Sequence, residues 1–328
     1  MKSFLGIDIG SYSIKLIELR KHKNKYVLVS LGEMPIPPGL LSFENKEALN
    51  ALSVYLKKVM NDSKCTTRNT ISLVPSEKVF TTFITVPQMT EEELKNAMEW
   101  EIKKLPIDVK ENLVNWQITE KNQQGMEILV VSTPKLLVSN YLTLLKDSGL
   151  NPVSLKLEPL ALAKSLTSEG HKDLLVVHVG YSFTSLTLIS KGNLKFIRNL
   201  RFGESSMITS LASTLKIVQE DAKQVLHGAG FLKYKDNQQV YNCLKTIINM
   251  IISETERTFN FFEANTRIIL SGGCANIPGL INAFTEKIGK QTYLANPWAD
   301  IDCSAIRDPG HLTKLGPRFA VAIGLAMT

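Results

Sequence analysis

Phe4-Leu5-Gly6-Ile7-Asp8-Ile9-Gly10-Ser11-Tyr12-Ser13-Ile14-Lys15-Leu16-Ile17-Glu18-Leu19 is the stretch on which the fold turns. A buried apolar run ends in a tight Gly/Ser turn and resumes with alternation, which reads as a strand, a hairpin turn and a second strand. A third strand, Tyr26 to Leu31, follows the basic cluster Arg20-Lys21-His22-Lys23-Asn24-Lys25. With no aromatic platform beside it, the cluster reads as a solvated hairpin loop and not as a nucleic-acid surface. The design returns at Leu174-Leu175-Val176-Val177-His178-Val179-Gly180-Tyr181-Ser182-Phe183-Thr184-Ser185-Leu186-Thr187-Leu188-Ile189, followed by another strand, Leu194 to Leu200. Aligning Gly10 with Gly180 gives an offset of 170, which also pairs Asp8 with His178 and Leu16 with Leu186. Two copies of one unit, half a chain apart, predict an α/β fold of two duplicated lobes.

Backbone N–H groups and hydroxyls in such turns make concave donors for phosphate oxygens. The first turn offers Gly10, Ser11, Tyr12 and Ser13, with Asp8 and Lys15 on the flanking strands; the second offers Gly180, Ser182 and Thr184. A third segment, Arg267 to Leu280, ends a buried strand in Ser271-Gly272-Gly273 and continues through Asn276 and Pro278 into a helix. Glycines at a strand end allow a ligand close to the backbone.

Composition bounds the answer from outside. The chain has 328 residues, 44% hydrophobic and 21% charged, which suits about two folded domains and excludes a disordered or low-complexity protein. Its longest apolar run, the nine residues Phe319 to Met327, falls short of the about 20 that span a bilayer. The start, Met1 to Asp8, meets Gly6 and Asp8 too early for a secretory segment, so the expected location is the cytoplasm. Cys65, Cys243, Cys274 and Cys303 show neither zinc nor disulfide spacing. A formal charge of +7 suits an acidic partner or a place beside an acidic membrane surface.

Asp8-Ile9-Gly10-Ser11 with Lys15, the second Gly/Ser hairpin and Ser271-Gly272-Gly273 together resemble the phosphate 1, phosphate 2 and adenosine motifs of actin-like ATPases. Val79 to Leu94 running on to Glu101 and Pro106, and Ala295-Asn296-Pro297-Trp298 with Gly316 to Ala326, narrow the resemblance to the PilM family. That family supplies the cytoplasmic actin-like component of type IV pilus assembly. The resemblance covers essentially the whole chain and implies an actin-like fold with ATP and Mg²⁺ between the lobes. The implied nucleotide set is Asp8, Gly10, Ser11, Tyr12, Ser13, Lys15, His178, Gly180, Ser182, Thr184, Gly203, Gly272, Gly273 and Asn276, with Asp8 holding Mg²⁺ through water. It further implies a scaffold that takes the cytoplasmic N-terminal peptide of a PilN-like inner-membrane protein, so that contact with the membrane is indirect. Pilus motor ATPases and self-association are further partners it admits; nucleic acid is not.

The chain departs from the family pattern where hydrolysis is concerned. His178 stands where an aspartate is usual, and imidazole does not replace a carboxylate on magnesium. Glu204 follows Gly203 where a second glycine is usual, and Lys223 and Leu226 take the places of a Glu and a Lys that contact adenosine. These changes predict a scaffold rather than an efficient ATPase, with no catalytic residue assigned. An FtsA-like division protein normally ends in a basic amphipathic membrane helix, and this chain ends at Leu325-Ala326-Met327-Thr328. A secretion-system platform component usually continues into a membrane segment, and a small-molecule kinase needs the carboxylate that His178 replaces.

The expected division is a first lobe, 1–75 completed by 151–172, an inserted α+β subdomain, 76–150, and a second lobe, 173–328. In the insert, a strand from Lys78 to Val86 precedes a helix opened by a Thr90/Glu93 capping box and stopped by Pro106. Its apolar stripe is Leu94, Ala97, Met98, Ile102 and Leu105, with Trp100 about 120° away on a flank. Trp100 is the candidate for the border of the peptide groove between insert and first lobe. Strands from Leu113 to Thr119 and Met126 to Ser132, and a helix from Lys135 to Ser148, complete the insert. A long amphipathic helix, Gln239 to Asn265, carries Val240, Leu244, Ile247, Ile248, Ile251, Ile252, Phe259 and Phe262 into the second lobe's core.

Overall fold

Each half of the chain begins with the same meander. In a computed structural model describing residues 3–23, 25–37, 39–41, 43, 45–74, 78–167, 171–233, 235–261, 266–304 and 309–327, the first lobe opens with β1 (Ser3–Ile9), β2 (Ser13–His22) and β3 (Lys25–Pro35). α1 (Lys46–Asp62) and β4 (Asn69–Leu73) follow. The insert is β5 (Phe80–Val86), α2 (Glu91–Lys104), β6 (Asn112–Asn122) and β7 (Gly125–Pro134). α3 (Lys135–Asp147), β8 (Asn151–Lys156) and α4 (Glu158–Leu166) lead out of it. The second lobe has β9 (Leu174–Val179), β10 (Thr184–Ser190), β11 (Asn193–Leu200), α5 (Glu204–Leu215), α6 (Gln219–Gly228), α7 (Gln238–Phe261), β12 (Arg267–Ser271), α8 (Leu280–Ile288) and β13 (Thr292–Leu294). β14 (Ile301–Asp302) and α9 (Pro309–Ala326) end the chain.

Among the described residues the two large sheets run β14-β3-β2-β1-β4-β8 and β11-β10-β9-β12-β13. The shared order, β3-β2-β1-β4 against β11-β10-β9-β12, is the duplication read from the 170-residue offset. Register obeys it too: Asp8 faces Lys15 across β1 and β2, and their counterparts His178 and Ser185 face one another across β9 and β10. The second meander turns at Lys191-Gly192, both with positive φ (51° and 81°), as a two-residue hairpin loop requires.

α4 and α9 lie between the sheets. Ala161, Leu162, Ala320, Val321 and Leu325 pack against Ile71 of the first sheet and Leu174 and Val176 of the second in one buried cluster. The helices meet backbone to backbone, since a Cβ on Gly324 would lie 1.8 Å from the Ala161 carbonyl oxygen. Gly6 plays the same part beneath α9, where a Cβ would lie 2.0 Å from the Ala322 oxygen. β14 and α9 follow the second lobe in sequence but pack on the first, with Phe319 and Ile323 against Ile17, Leu19 and Leu28.

The expected elements form near their expected bounds. The capping box opens α2, with Thr90 N–H donating to Glu93 Oε2 at 2.8 Å and Glu93 N–H to Thr90 Oγ1 at 3.3 Å. α7 buries Val240, Leu244, Ile248, Ile252 and Phe259 in the second lobe, while Phe262 and Asn265 lie outside the described residues. The expected division groups α3 with the insert. Its buried side chains Leu137, Tyr141, Leu144 and Leu145 share a core with Leu5, Ile7 and Leu52 of the first lobe. Alternation along β7 sends Ile128 and Val130 to α2 and Leu129 to the opposite face, against Leu157 and Leu194. The insert is also tied to the second lobe by Lys195, which pairs with Glu120 and, at 2.7 Å, with Glu127. Among the described residues, no helix is long and apolar enough to cross a membrane.

Gly324→Ala must push α9 off α4. We expect a stability loss of about 1–3 kcal/mol in urea denaturation; an unchanged midpoint would show that the helices separate freely.

Candidate functional site

The meander of the first lobe sets a row of charges across three strands. Asp8, Lys15 and Glu33 are register partners on β1, β2 and β3. Lys15 Nζ lies 3.8 Å from Asp8 Oδ2. Glu33 accepts from the Ser13 hydroxyl at 2.8 Å and lies 3.4 Å from Arg318 Nη1 of α9. Glu158, first residue of α4, accepts from the Ser185 hydroxyl of β10. The three charged groups of the row, Arg318 and Glu158 line one cavity of about 230 Å³ between the lobes.

Burial sets the protonation states there. It raises the Asp8 carboxyl above its ordinary value against the pull of Lys15. It pushes Glu158 up to about 7, with Ser185 and Lys15 pulling the other way. It pushes His178 down to about 4, so the ring is neutral at physiological pH. His178 Nδ1 lies 3.2 Å from Ser271 Oγ, whose hydroxyl donates to the Pro317 carbonyl at 2.9 Å. With that proton committed, the serine oxygen accepts, and the imidazole proton is therefore on Nδ1.

The two hairpin turns close over this cavity. Gly10 N–H donates to the Ser13 carbonyl at 3.1 Å and Gly180 N–H to that of Phe183 at 3.0 Å, leaving Ser11-Tyr12 and Tyr181-Ser182 as the tips. The tips touch. The Ser182 hydroxyl donates to Ser11 Oγ at 2.8 Å, and the Tyr12 and Tyr181 rings lie 5.1 Å apart. Lys223 of α6 donates to the Tyr12 hydroxyl and sits 4.0 Å above its ring, a cation–π contact.

Of the residues expected at a nucleotide, Asp8, Gly10, Ser11, Tyr12, Ser13, Lys15, His178, Gly180 and Gly273 line the cavity. The others are engaged in the fold. Thr184 donates to the Phe202 carbonyl at 2.7 Å, and Asn276 donates to that of Lys314 at 2.8 Å. Gly272, at φ +92°, runs so close to β9 that a Cβ would lie 2.3 Å from Val179 O. A Cβ on Gly203 would lie 2.5 Å from Tyr181 O, so this glycine lets α5 dock on the second turn. Docking engages the helix's leading donors: Glu204 and Ser205 N–H bond to the Gly180 and Tyr181 carbonyls at 3.0 and 2.8 Å. Glu204 is buried, with Oε1 2.7 Å from His227 Nε2, and Leu226 lies wholly in the second lobe's core. Trp100 is 69% exposed, carries Lys103 4.9 Å over its ring, and does not line the cavity.

Sequence reasoning missed Glu158, Glu33, Arg318 and the apolar end of the cavity. That end is walled by Leu41, Phe43, Val74, Leu137 and Tyr141, beside Lys78 at the entry to the insert. Tyr141 is fixed there by the Ser72 hydroxyl at 2.9 Å and packs 5.0 Å from the Phe43 ring. The Glu158-Pro159 pair at a helix start was the one local signal for the buried carboxylate.

The donor set can be tested against the expected ligand. Among the described residues, the Ser11, Tyr12, Tyr181 and Ser182 N–H groups have no acceptor in the protein, which suits phosphate oxygens. Asp8 and Glu158 supply hard oxygens for a hydrated magnesium ion, and the imidazole of His178 does not. Lys15, Lys78 and Arg318 offer positive charge to a polyphosphate against the carboxylates of Glu33 and Glu204, while burial favours the protonated forms of Asp8 and Glu158.

The family described as type IV pilus assembly protein PilM matches residues 6–328. A solved PilM-PilN type IV pilus biogenesis complex is 25% identical, with a TM-score of 0.86 over 98% of this chain and 97% of that one. MreB5 of Spiroplasma citri bound to ADP superposes with a TM-score of 0.57 at 14% identity, over 99% of this chain and 95% of that one, which shows the actin-like fold. Cell division protein FtsA of Bacillus subtilis (strain 168) is 20% identical over 217 residues, 58% of this chain and 48% of FtsA. The chain thus spans about half the length of that curated relative.

Glu158 gives a test by linkage. Its folded value, about 7, lies above the ordinary 4.5, so its stabilising contribution is full below about pH 4.5 and is lost as pH rises through 7. Glu158→Gln cannot titrate. Relative to it, the wild type should lose on the order of 3 kcal/mol between pH 4.5 and about pH 8 in denaturant titrations; parallel curves would mean the carboxyl is not buried as described.

Proposed function

Because the chain belongs to the PilM family of type IV pilus assembly proteins, we propose that it is a cytoplasmic scaffold which receives the N-terminal peptide of a PilN-like inner-membrane protein and reaches the membrane through that partner. The observation that carries this reading is the continuity of one cavity, from the charged row under the hairpin tips to the apolar wall of Leu41, Phe43, Val74, Leu137 and Tyr141 at the root of the insert. An extended peptide needs a few apolar pockets and no catalytic group. The likeness to the PilM-PilN complex supports the partner class. The insert, taken as the unit from β5 to β7, frames the groove, with Trp100 on its outer rim.

Nucleotide has a secondary place in this reading. The unengaged N–H groups of both tips receive the phosphates of ATP, and Asp8 and Glu158 hold the hydration shell of its magnesium ion, which offsets the phosphate charge. Lys15 supplies a further positive charge. His178, neutral and donating its Nδ1 proton to Ser271, brings no carboxylate to the metal's hydration shell, so the bound nucleotide is not turned over efficiently. That MreB5 was solved with ADP supports a nucleotide in this fold. Pilus motor ATPases and further copies of the chain remain proposed partners.

Titration with the synthetic cytoplasmic N-terminus of the PilN-like protein tests the scaffold reading. Leu41→Arg, a half-buried wall residue, should weaken binding by about tenfold or more with the fold intact. Trp100→Ala should weaken it less; an unchanged dissociation constant removes Trp100 from the groove. No binding by the wild type overturns the proposal.

A further inference from the structure

Between α7 and α8 lies a second cavity, of about 350 Å³, that shares no lining residue with the cleft. Its floor is apolar: Phe231 and Ile252, both buried, with Ala283. The floor is also rigid. Gly230, at φ +57°, runs so close to the facing loop that a Cβ would lie 2.5 Å from Pro278 O. Gly279, at φ +80°, reciprocates, 2.6 Å from Phe231 O. Phe231 N–H bonds to the Pro278 carbonyl at 2.7 Å between them. The buried Asn237 amide fastens the same loop, donating to the Leu232 carbonyl at 2.8 Å. The Phe231 ring stacks on Tyr241 with centroids 4.4 Å apart.

The rim is cationic. Lys233, Lys245 and Lys287 line the cavity against a single carboxylate, Glu286. Glu286 pairs with Lys233 at 3.2 Å. Among the described residues, no carboxylate lies within ion-pair distance of Lys245 or Lys287. A preformed apolar pocket under two uncompensated ammonium groups is a receptor for the opposite pattern. We propose that this pocket docks an acidic segment of a partner protein, one bulky apolar side chain seated on Phe231, Ile252 and Ala283 and its neighbouring carboxylates on Lys245 and Lys287.

Two other readings fit less well. Two free cations neutralise too few phosphates to hold a nucleic acid, and the aromatic faces are stacked on each other rather than open to bases. A membrane surface cannot reach an apolar floor recessed between helices. The chain's formal charge of +7 favours an acidic partner at long range. The proposal is independent of the cleft and survives or fails without it.

Selection of random dodecamer peptides by phage display on the full chain tests it. The enriched peptides should be acidic around one aromatic or aliphatic residue. They should bind the charge-reversed Lys245→Glu/Lys287→Glu variant and the pocket-filling Ala283→Trp variant at least about tenfold more weakly than wild type. Both variants should keep the wild-type Tm. No enrichment, enrichment without acidic bias, or equal binding to the charge-reversed chain overturns the proposal. So does tighter capture of an oligothymidine or of phosphatidylglycerol vesicles through the same lysines. A concentration-dependent dimer that the reversal abolishes would replace the partner by a second copy.

Discussion

Gly324 allows α9 to lie directly on α4, and the chemistry of the cleft follows from that contact. α4 begins with Glu158, and α9 carries Arg318 and the Pro317 carbonyl. That carbonyl accepts from both Ser271 and Gly272, the latter at 2.8 Å, which draws the third glycine turn to the helix pair. The two sheets are thereby fixed at a separation that brings their hairpin tips into contact. A larger residue at Gly324 would change the spacing of every charged group at once.

Within that frame, burial rather than pairing governs the cleft. Asp8 and Glu158 sit in low-dielectric surroundings that favour their protonated forms, and His178 is held neutral. The tips meet through Ser11–Ser182, Tyr12–Tyr181 and the Lys223 ammonium over Tyr12. A polyphosphate must compete with these contacts for the same turns. The apolar end meets no such opposition. It is lined by side chains held in place by the first lobe's core, as Tyr141 is by Ser72.

What the sequence reveals and what it hides divide along a physical line. Strand alternation and turn composition are local, so both meanders, their common offset and the α2 capping box could be read residue by residue. The α7 stripe was legible for the same reason. An apolar stripe does not say which core it joins, and so α3 was expected with the insert although Leu137 and Tyr141 complete the first lobe. The return of β14 and α9 to the first sheet is likewise a matter of tertiary pairing. Glu158 becomes a site residue only because α4 starts opposite Ser185. The Tyr12–Lys223 contact joins residues 211 positions apart. Gly203 and Gly272 are each required by a close backbone approach, to the second turn and to β9, and a glycine required in that way and one required by a phosphate look alike in sequence.

The most direct measurement is single-turnover hydrolysis of ATP with Mg²⁺ by the wild type, His178→Asp and His178→Asp/Glu158→Gln. The account predicts bound nucleotide without turnover in the wild type, hydrolysis gained on restoring a carboxylate at position 178, and its loss when Glu158 is also replaced. Turnover by the wild type at a rate that His178→Asp leaves unchanged would contradict it.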